Sequence, residues 1–373
     1  MTDSRWAWAE IDLSAIAHNV NVLKGRTAPG TLFMAVVKAD GYGHGAVEVA
    51  RAAIAAGADR LGVATVDEAV ELRSAGITAP LQVLSEPPVS TVSTLLEHRI
   101  TPTLYTKEFA GALGRAAALR GVDAPYHLKV DTGMNRIGVA YSDAALFATM
   151  LAEFPGLRLE GTFTHFATAD VPGDWDAVRQ LKRFRGVIDA MRTEKLDPGI
   201  VHAANSPATI LMPESHLSMV RCGIALYGLH PAASTYSAID LRPAMSVRAR
   251  ATLVKRIGMG EGVSYGLTWH AGASALIATL PLGYADGVHR TLSNSMEVLV
   301  GGVRALQVGR VCMDQFMVEV PRGADAQRGT VFTVVGEDSG ARILMDEQAQ
   351  RAGTINYELA CSFGMRLPRV YGT

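Results

Sequence analysis

Residues 31–66, TLFMAVVKADGYGHGAVEVARAAIAAGADRLGVATV, contain two short apolar runs separated by a helical pattern. The runs Thr31–Ala39 and Arg60–Val66 are nearly all apolar rather than alternating, which is typical of parallel strands buried on both faces. Between them, apolar residues recur at helical spacing over Val47–Ile54, and Gly57 stands where a helix would end. The stretch therefore predicts a β-α-β unit.

The same alternation of apolar run and helical pattern continues along the chain. A capping box at residues 65–68 predicts one helix start, and a longer helical pattern covers Val178–Met191. Six more predicted strands bring the number to eight: Leu81–Ser85, Thr101–Thr106, Tyr126–Asp131, Leu157–His165, Ile200–Ala204 and Met219–Tyr227. Eight β-α units in roughly 200 residues predict a (β/α)8 TIM barrel. An open doubly wound sheet is the alternative.

The pattern changes after about Pro243. Apolar and polar residues alternate from Met245 to Leu253, which indicates a strand with one buried face. One helix is predicted near Met345–Arg351, and four further strands are predicted at Ala275–Leu280, Met296–Val300, Phe316–Val320 and Val331–Val335. We expect two domains: residues 1–240, a barrel with an N-terminal lead-in segment, and residues 241–373, a mostly antiparallel β domain.

Composition excludes several classes of protein. The 373 residues are 49% hydrophobic and 19% charged, which is typical of a globular chain. Because the formal net charge is −1, we expect no nucleic-acid partner and no membrane partner. The three cysteines are widely spaced without a C-x-x-C motif, which predicts a reducing compartment and no metal site. With no leader-like apolar segment at the start, the expected location is the cytoplasm.

Lys38 is the first candidate for chemistry, because it stands at the end of an otherwise apolar strand. A buried lysine is costly unless its charge is paired or its pKa falls until the amine is neutral. A neutral amine attacks carbonyl groups, which makes Lys38 a candidate for a Schiff base. The alternative is a lysine that reaches solvent at a barrel rim. The glycines that follow are spaced G-x-G-x-G, which is not a dinucleotide fingerprint.

Charged and polar residues also stand at the ends of later strands. Lys129 and Asp131 share one strand face, so a structural ion pair is the simplest interpretation. Lys129 and Arg136 near one site would repel unless an anion lies between them. His165, after the sixth predicted strand, is either a satisfied core residue or a catalyst.

The last two predicted barrel strands are followed by candidate phosphate donors. In barrels of this kind, these loops commonly hold a phosphate group. The relevant segments are His202–Ser206, which includes Asn205, and Arg221–Gly228, which includes Gly223 and Ile224. Tyr265, in a turn of the second domain, is either an ordinary turn residue or a proton carrier.

Eight motifs in order over nearly the whole chain resemble the alanine racemase family. They are AVVKADGYGHG (35–45), KVDTGMNRIG (129–138), HAANS (202–206), RCGIALYG (221–228), GEGVSYGLTW (260–269), LGYADG (282–287), GRVCMDQ (309–315) and GTINYE (353–358). The resemblance implies a barrel with a C-terminal β domain, pyridoxal 5′-phosphate (PLP) as cofactor, and homodimers with shared active sites. The implied reaction interconverts L-alanine and D-alanine and supplies D-alanine for peptidoglycan.

The resemblance also implies a role for each matched residue. Lys38 corresponds to the lysine that forms the Schiff base with the cofactor and acts as base for the D-enantiomer. Tyr265 of the partner subunit corresponds to the base for the L-enantiomer. Lys129 corresponds to a lysine that family members carry as a carbamate. The substrate carboxylate is assigned to Arg136 and Met313, and cofactor binding to Lys38, Tyr42, His165, Asn205, Ser206, Arg221, Gly223, Ile224 and Tyr357.

One departure from the family pattern is Cys222, where proline is common. Its neighbour Arg221 matches the arginine that faces the cofactor's ring nitrogen. We expect the cysteine to have little effect on the chemistry, and a reactive thiol beside the cofactor is the alternative. The alternatives are a racemase of broader specificity, for example toward serine, and a decarboxylase of the same architecture. A PLP carrier without turnover and a scaffold fit less well, because neither explains the second domain together with the lysine and tyrosine motifs.

Overall fold

The computed structural model describes residues 5–372. Contacts between Cα atoms divide the chain into two units, each described separately here. The barrel unit comprises Ile16–Gly41 and Ala46–Arg242. The β unit comprises the N-terminal segment as far as Ala15, the loop Tyr42–Gly45 and the chain from Pro243 onward. The predicted division into residues 1–240 and 241–373 therefore differs from these units in the lead-in segment.

The lead-in segment is a strand of the β unit. β1 (Ala7–Asp12) pairs antiparallel with Met245–Arg250 and parallel with Arg369–Gly372. α1 (Leu13–Lys24) follows directly, and its first turn is capped by Asp12, whose Oδ1 accepts a hydrogen bond from the Ala15 amide at 3.0 Å. Strand pairing with residues far along the chain is the reason that this segment joins the second unit.

Eight parallel strands form a nearly closed barrel, which confirms the predicted fold. In chain order, the barrel strands are β2 (Leu32–Val36), β3 (Arg60–Val63), β4 (Leu81–Val83), β5 (Thr103–Leu104), β6 (Ala124–Asp131), β8 (Leu157–Phe163), β9 (Ile200–His202) and β10 (Met219–Cys222); β7 (Val139–Ala140) pairs only with β6. The hydrogen-bonded order is β4-β3-β2-β10-β9-β8-β6-β5. A parallel bridge joins Gln82 of β4 to Thr101, just before β5, so the first and last strands of this order lie side by side. The open-sheet alternative is therefore wrong.

Helices connect the barrel strands. Four of them begin at a residue whose side chain caps the first turn. At α4, for example, Thr65 and Glu68 exchange both hydrogen bonds of the predicted capping box. The helices of this part of the chain are α2 (Lys38–Tyr42), α3 (Ala46–Ala55), α4 (Val66–Ser74), α5 (Val92–Glu97), α6 (Lys107–Leu119), α7 (Ala144–Ala152), α8 (Trp175–Thr193) and α9 (Ser206–Leu211).

The segment α2 is a left-handed turn rather than an ordinary helix. Ala39, Asp40 and Gly41 have φ values of 53°, 51° and 60°, and Tyr42 follows with φ 52°. Left-handed backbone costs about 1–2 kcal/mol for each residue that has a side chain, so the turn needs support. Glu68 accepts a hydrogen bond from the Ala39 amide at 2.7 Å, and Asp40 accepts one from the Ala46 amide at 2.9 Å. These two carboxylates hold the backbone that follows Lys38.

The β unit contains a mostly antiparallel sheet, as predicted. Its hydrogen-bonded order is β12-β15-β18-β17-β16-β19-β11-β1-β21, with β20 paired to β19 and a separate hairpin β13-β14. The strands are β11 (Met245–Arg250), β12 (Leu253–Ile257), β13 (Gly262–Val263), β14 (Trp269–His270), β15 (Ala275–Leu280), β16 (Glu297–Val300), β17 (Val303–Val308), β18 (Phe316–Glu319), β19 (Val331–Asp338), β20 (Ala341–Ile343) and β21 (Arg369–Gly372).

The predicted helix of the second domain is α10 (Met345–Ala352), and a further helix, α11 (Asn356–Ser362), was not predicted. β11 has the alternating burial that its sequence indicates: its apolar residues are buried and its polar residues are partly exposed. Across residues 5–372, no helix is both long enough and apolar enough to cross a membrane.

Candidate active site

The carboxyl ends of the barrel strands bring most of the predicted barrel residues to one region. Lys38 follows β2 by two residues, Lys129 lies in β6, and His165 follows β8 by two residues. Asn205 and Ser206 follow β9, Arg221 lies within β10, and Gly223 and Ile224 come directly after it. This is the face on which barrel enzymes carry their active sites.

Arg221 is the most heavily bonded of these side chains. Its Nη2 atom donates to the carbonyl oxygens of Thr164 and Ala203 at 2.8 and 2.9 Å. Nη2 also lies 3.2 Å from Nδ1 of His165, and Nη1 lies 2.9 Å from Nδ1 of His202. Burial lowers the pKa of Arg221 to about 9, so the guanidinium still carries its charge at neutral pH. An arginine held in this way can only donate hydrogen bonds.

His165 is a neutral imidazole in this setting. Burial lowers the pKa of His165 well below its ordinary value, and the charge of Arg221 lowers it further. Because the arginine can only donate, His165 Nδ1 is the acceptor of their contact and its proton is on Nε2. The structure thus places His165 in contact with Arg221.

Lys129 is buried among other cations. Burial and the charge of Arg221 lower the pKa of Lys129 to about 7, and Arg136 contributes in the same direction. Its Nζ donates to the Val130 carbonyl oxygen at 3.2 Å and lies 5.2 Å from the centre of the Phe163 ring. Among residues 5–372, no ion pair joins Lys129 to Asp131, so the ion-pair interpretation is wrong. Asp131 instead accepts hydrogen bonds from the Gly133 and Asn135 amides.

A set of hydrogen-bond donors converges after β9 and β10. The Ser206 hydroxyl oxygen accepts from the Gly223 amide at 2.9 Å and from the Ala225 amide at 3.4 Å. Asn205 caps α9 by accepting from the Ala208 amide at 3.2 Å, which orients Ser206 at the first position of the helix. A buried hydroxyl beside backbone amides fits a phosphate group, because phosphate binds such donors at close range.

Cys222 does not have the environment of a reactive thiol. It is fully buried in β10, and its Sγ lies 3.6 Å from the hydroxyl of Thr209. Burial raises the pKa of this thiol to about 12, so the nucleophilic thiolate is scarce at neutral pH. This environment disfavours the alternative of a reactive thiol, and the expectation that Cys222 has little effect on the chemistry stays a prediction.

The β unit holds the remaining predicted residues in two groups. Tyr42 and Tyr357, both assigned to phosphate binding, have ring centres 6.4 Å apart. The side chains of Tyr265 and Met313 are exposed by 73% and 52%. Hydrogen bonds hold the backbone of the segments on which they lie. Ser264, beside Tyr265, donates to the Arg310 carbonyl oxygen at 2.7 Å, and the Met313 carbonyl oxygen accepts from the Ala285 amide at 3.0 Å.

Four residues of the barrel, three of them buried and Glu160 partly exposed, were not predicted as functional. His202 contacts Arg221 directly. A series of hydrogen bonds then leads from His202 to His127, from His127 to Glu160 and from Glu160 to Arg60. One signal was available: His127, Lys129 and Asp131 are the polar residues of β6 and all lie on one face of the strand. Glu160 and Arg60 offered no comparable pattern.

Together, the barrel, the lysine after β2 and the phosphate-type donors after β9 and β10 define an enzyme of the class that binds a phosphorylated cofactor in a (β/α)8 barrel. Comparison with known proteins identifies the same family for both parts of the chain. Residues 11–231 match the alanine racemase N-terminal domain, and residues 244–371 match the alanine racemase C-terminal domain. The chain belongs to the alanine racemase family, whose members are PLP-dependent racemases.

Relatives match over almost the full length. The alanine racemase of Desulfovibrio desulfuricans is 47% identical over 367 residues, which covers 98% of both chains. Alanine racemase 2 of Oceanobacillus iheyensis is 46% identical and covers 98% of this chain and 93% of its own. The crystal structure of alanine racemase from Bacillus anthracis with bound L-Ala-P is 38% identical, with a TM-score of 0.93 over 100% of this chain and 96% of its own.

Proposed function

We propose that this protein interconverts L-alanine and D-alanine, with Lys38 and Tyr265 as bases on opposite faces of the substrate and Tyr265 supplied by a second copy of the chain. The observation that carries this proposal is the match of both domains to alanine racemases over nearly the whole chain. Cytoplasmic location and the use of D-alanine in peptidoglycan remain predictions from the sequence.

The barrel residues supply binding and positioning. Ser206 and the amides of Gly223 and Ile224 would hold the phosphate of PLP, with Tyr42 and Tyr357 assigned to the same group by resemblance. Bound PLP supplies an electron sink for the negative charge that develops at the substrate's Cα. A neutral amine at Lys38 takes the proton from one face of Cα, and the Tyr265 oxygen exchanges a proton with the other face.

Arg221 restricts the reaction to racemisation. An arginine that faces the ring nitrogen only donates a hydrogen bond, so it favours an unprotonated ring. With PLP bound, Arg221 would thus weaken the electron sink, which would favour return of the proton to the substrate's Cα over side reactions. His165 and His202 are both neutral, because their pKa values are well below the ordinary value of histidine. Of these three residues, only Arg221 would present a positive charge to the ring.

Replacing Arg221 with glutamate is expected to raise the ratio of transamination to racemisation by about tenfold, the effect of one pKa unit on ring protonation. The glutamate would accept a proton from the ring nitrogen and so strengthen the electron sink. The measurement is pyruvate formed per alanine racemised, with Arg221→Lys as the control that keeps a cationic donor. A ratio unchanged in Arg221→Glu would contradict the assigned role.

Arg136 is assigned to the substrate carboxylate. It lies close enough to Lys129 for its positive charge to lower the pKa of that lysine. An uncharged Lys129 reacts with carbon dioxide, which forms an N–C bond, releases a proton and leaves a negatively charged carbamate. The carbamate would convert the repulsion between Lys129 and Arg136 into attraction. The lowered pKa of Lys129, about 7, supports this because it provides neutral amine at physiological pH.

A carbamate at Lys129 is expected to give a ¹³C resonance when the protein is incubated with ¹³C-bicarbonate at pH 8. The resonance should weaken below pH 7, because the amine is protonated below its pKa of about 7. Lys129→Ala should abolish it, and Lys107→Ala, at an exposed lysine of α6, should leave it unchanged. A resonance that survives in Lys129→Ala would contradict the assignment.

Exposure of the β-unit segments supports a shared site. Tyr265, Leu267 and Met313 are large side chains exposed on neighbouring turns, and exposed apolar groups of this kind commonly mark an interface. A homodimer in which each copy supplies these residues to the other would cover them.

The function is tested by circular dichroism of purified protein given L-alanine and, separately, L-serine. Loss of the L-alanine signal to zero, without a change in total alanine, is the expected result. Equal rates with L-serine would indicate a racemase of broader specificity. Loss of amino acid with release of carbon dioxide would indicate a decarboxylase and refute the proposal.

A further inference from the structure

A chain of hydrogen-bonded side chains leads from Arg221 across the inside of the barrel to Glu160, which is partly exposed. Arg221 Nη1 lies 2.9 Å from His202 Nδ1, and His202 Nε2 lies 2.7 Å from His127 Nδ1. His127 Nε2 lies 3.2 Å from Glu160 Oε2, which also accepts from Arg60 at 2.6 Å. We call Arg221, His202, His127 and Glu160 the Glu160 chain. Its residues lie on four strands, β10, β9, β6 and β8.

The chemistry of the end groups determines every proton position in the Glu160 chain. Arginine only donates, so His202 Nδ1 accepts and the proton of this imidazole is on Nε2. His202 therefore donates to His127 Nδ1, which leaves the proton of His127 on Nε2. His127 then donates to Glu160, a carboxylate that only accepts. All hydrogen bonds thus run in one direction, from the arginine to the glutamate.

The charges of the residues agree with this direction. Burial lowers the pKa of both histidines, and the charge of Arg221 lowers that of His202 further, so both imidazoles are neutral. For Glu160, burial opposes ionisation, but the hydrogen bond from His127 and the charge of Arg60 lower its pKa to about 2. The Glu160 chain consequently has one positive end and one negative end, joined by two neutral rings.

The direct partners of Arg221 are carbonyl oxygens and imidazole nitrogens, all of them uncharged. A buried guanidinium needs a compensating negative charge or well-placed acceptors. The carboxylate at the far end of the chain supplies negative charge. It polarises the hydrogen bond that it accepts, and each imidazole ring in turn becomes a better acceptor for the next donor, because hydrogen bonds in a chain strengthen one another.

We infer that His202, His127 and Glu160 are positioning residues for Arg221: the chain orients the guanidinium toward the cofactor's ring nitrogen, and Glu160, which Arg60 keeps ionised, is the acceptor that ends the chain. The inference rests on the proposed role of Arg221 in facing PLP. It extends the functional residues from the carboxyl ends of the strands into the barrel interior.

The proton positions are tested first, on the unchanged protein. Histidine labelled with ¹⁵N, observed by NMR in the protein freed of PLP and again after PLP is added, reports which ring nitrogen carries each proton. His202→Gln and His127→Gln assign the signals. Nδ1 of both residues should be unprotonated in both states, and a proton on Nδ1 of His202 would overturn the inference.

The coupling to the cofactor is tested with variants at Glu160. Glu160→Leu removes the acceptor and should weaken PLP binding to the cofactor-free protein by about tenfold, the effect of one hydrogen bond. Glu160→Gln keeps an acceptor but removes the charge, so its PLP affinity should lie between those of Glu160→Leu and the unchanged protein. Thr162→Val is the matched control on the same strand, since it removes a separate buried hydrogen bond to the Pro198 carbonyl oxygen.

The outcomes distinguish this inference from the proposed function. Thermal unfolding shows whether each variant is folded; if Glu160→Leu is not, Glu160→Gln carries the test. Unchanged PLP affinity in the folded Glu160 variants overturns the inference. If Arg221→Glu changes the visible spectrum of bound PLP while the Glu160 variants do not, the assigned role of Arg221 is supported and the inference about the Glu160 chain is refuted. If Arg221→Glu also leaves the spectrum unchanged, the assigned role of Arg221 is refuted with it.

Discussion

Replacing Lys38 with alanine is expected to abolish the visible absorbance of bound PLP and to lower racemisation by about a thousandfold or more, because one amine supplies both the covalent link and a base. The side chain emerges from a left-handed turn braced by Glu68 and Asp40, which gives the amine a defined place after β2.

The measurements for Lys38→Ala are the visible spectrum after addition of PLP and the rate from each enantiomer. Lys107→Ala is the matched control, because Lys107 is an exposed lysine at the start of α6 in the same unit. A yellow, active Lys38→Ala protein would refute the assignment.

Replacing Tyr265 with phenylalanine is expected to affect the two enantiomers differently. Overall racemisation should fall by about a hundredfold or more, since each turnover needs both bases. Exchange of the α-hydrogen with deuterium oxide should be lost from L-alanine. It should persist from D-alanine, because Lys38 removes and returns a proton on its own face.

Proton NMR of alanine in deuterium oxide follows both exchange reactions directly. Tyr141→Phe is the control, since it removes one phenol hydroxyl from a partly exposed tyrosine of the barrel unit. Unchanged exchange from L-alanine in Tyr265→Phe would show that the phenol is not the base on that face.

Mixing Lys38→Ala with Tyr265→Phe extends this test to the shared site. If each site combines Lys38 of one copy with Tyr265 of the other, a mixed dimer has one intact site and one doubly altered site. Random exchange of subunits should then restore about one quarter of the sites of the unchanged enzyme. If both bases came from one copy, no activity would return.

The barrel was predictable because its strands are short, apolar on both faces and separated by capped helices. β3 and the capping box at Thr65 were both visible in the local sequence. The sequence could not indicate that β1 joins the sheet of the β unit, because its partners, β11 and β21, lie more than two hundred residues away. Nothing in the six residues of β1 shows which strand they will pair with.

Site residues could be predicted where they lie at the end of a predicted strand or within a motif of the family. Arg221 and Ser206 were found in this way. Arg60 and Glu160 were missed because a barrel interior brings together residues whose strand positions depend on the stagger of the whole sheet. Arg60 begins β3 and Glu160 lies within β8, and their ion pair exists only once the barrel has closed.

The pairing of β1 has a consequence for the order of events during synthesis on the ribosome. Residues 7–12 emerge early, but one partner strand ends at Arg250 and the other at Gly372. Translation proceeds at roughly 5–20 residues per second, so β1 waits for many seconds with both of its hydrogen-bonding edges open. One edge of β1 therefore stays open until β11 has been synthesised and the other until β21 has been, and these open edges are where chaperones would bind and where premature chains would aggregate.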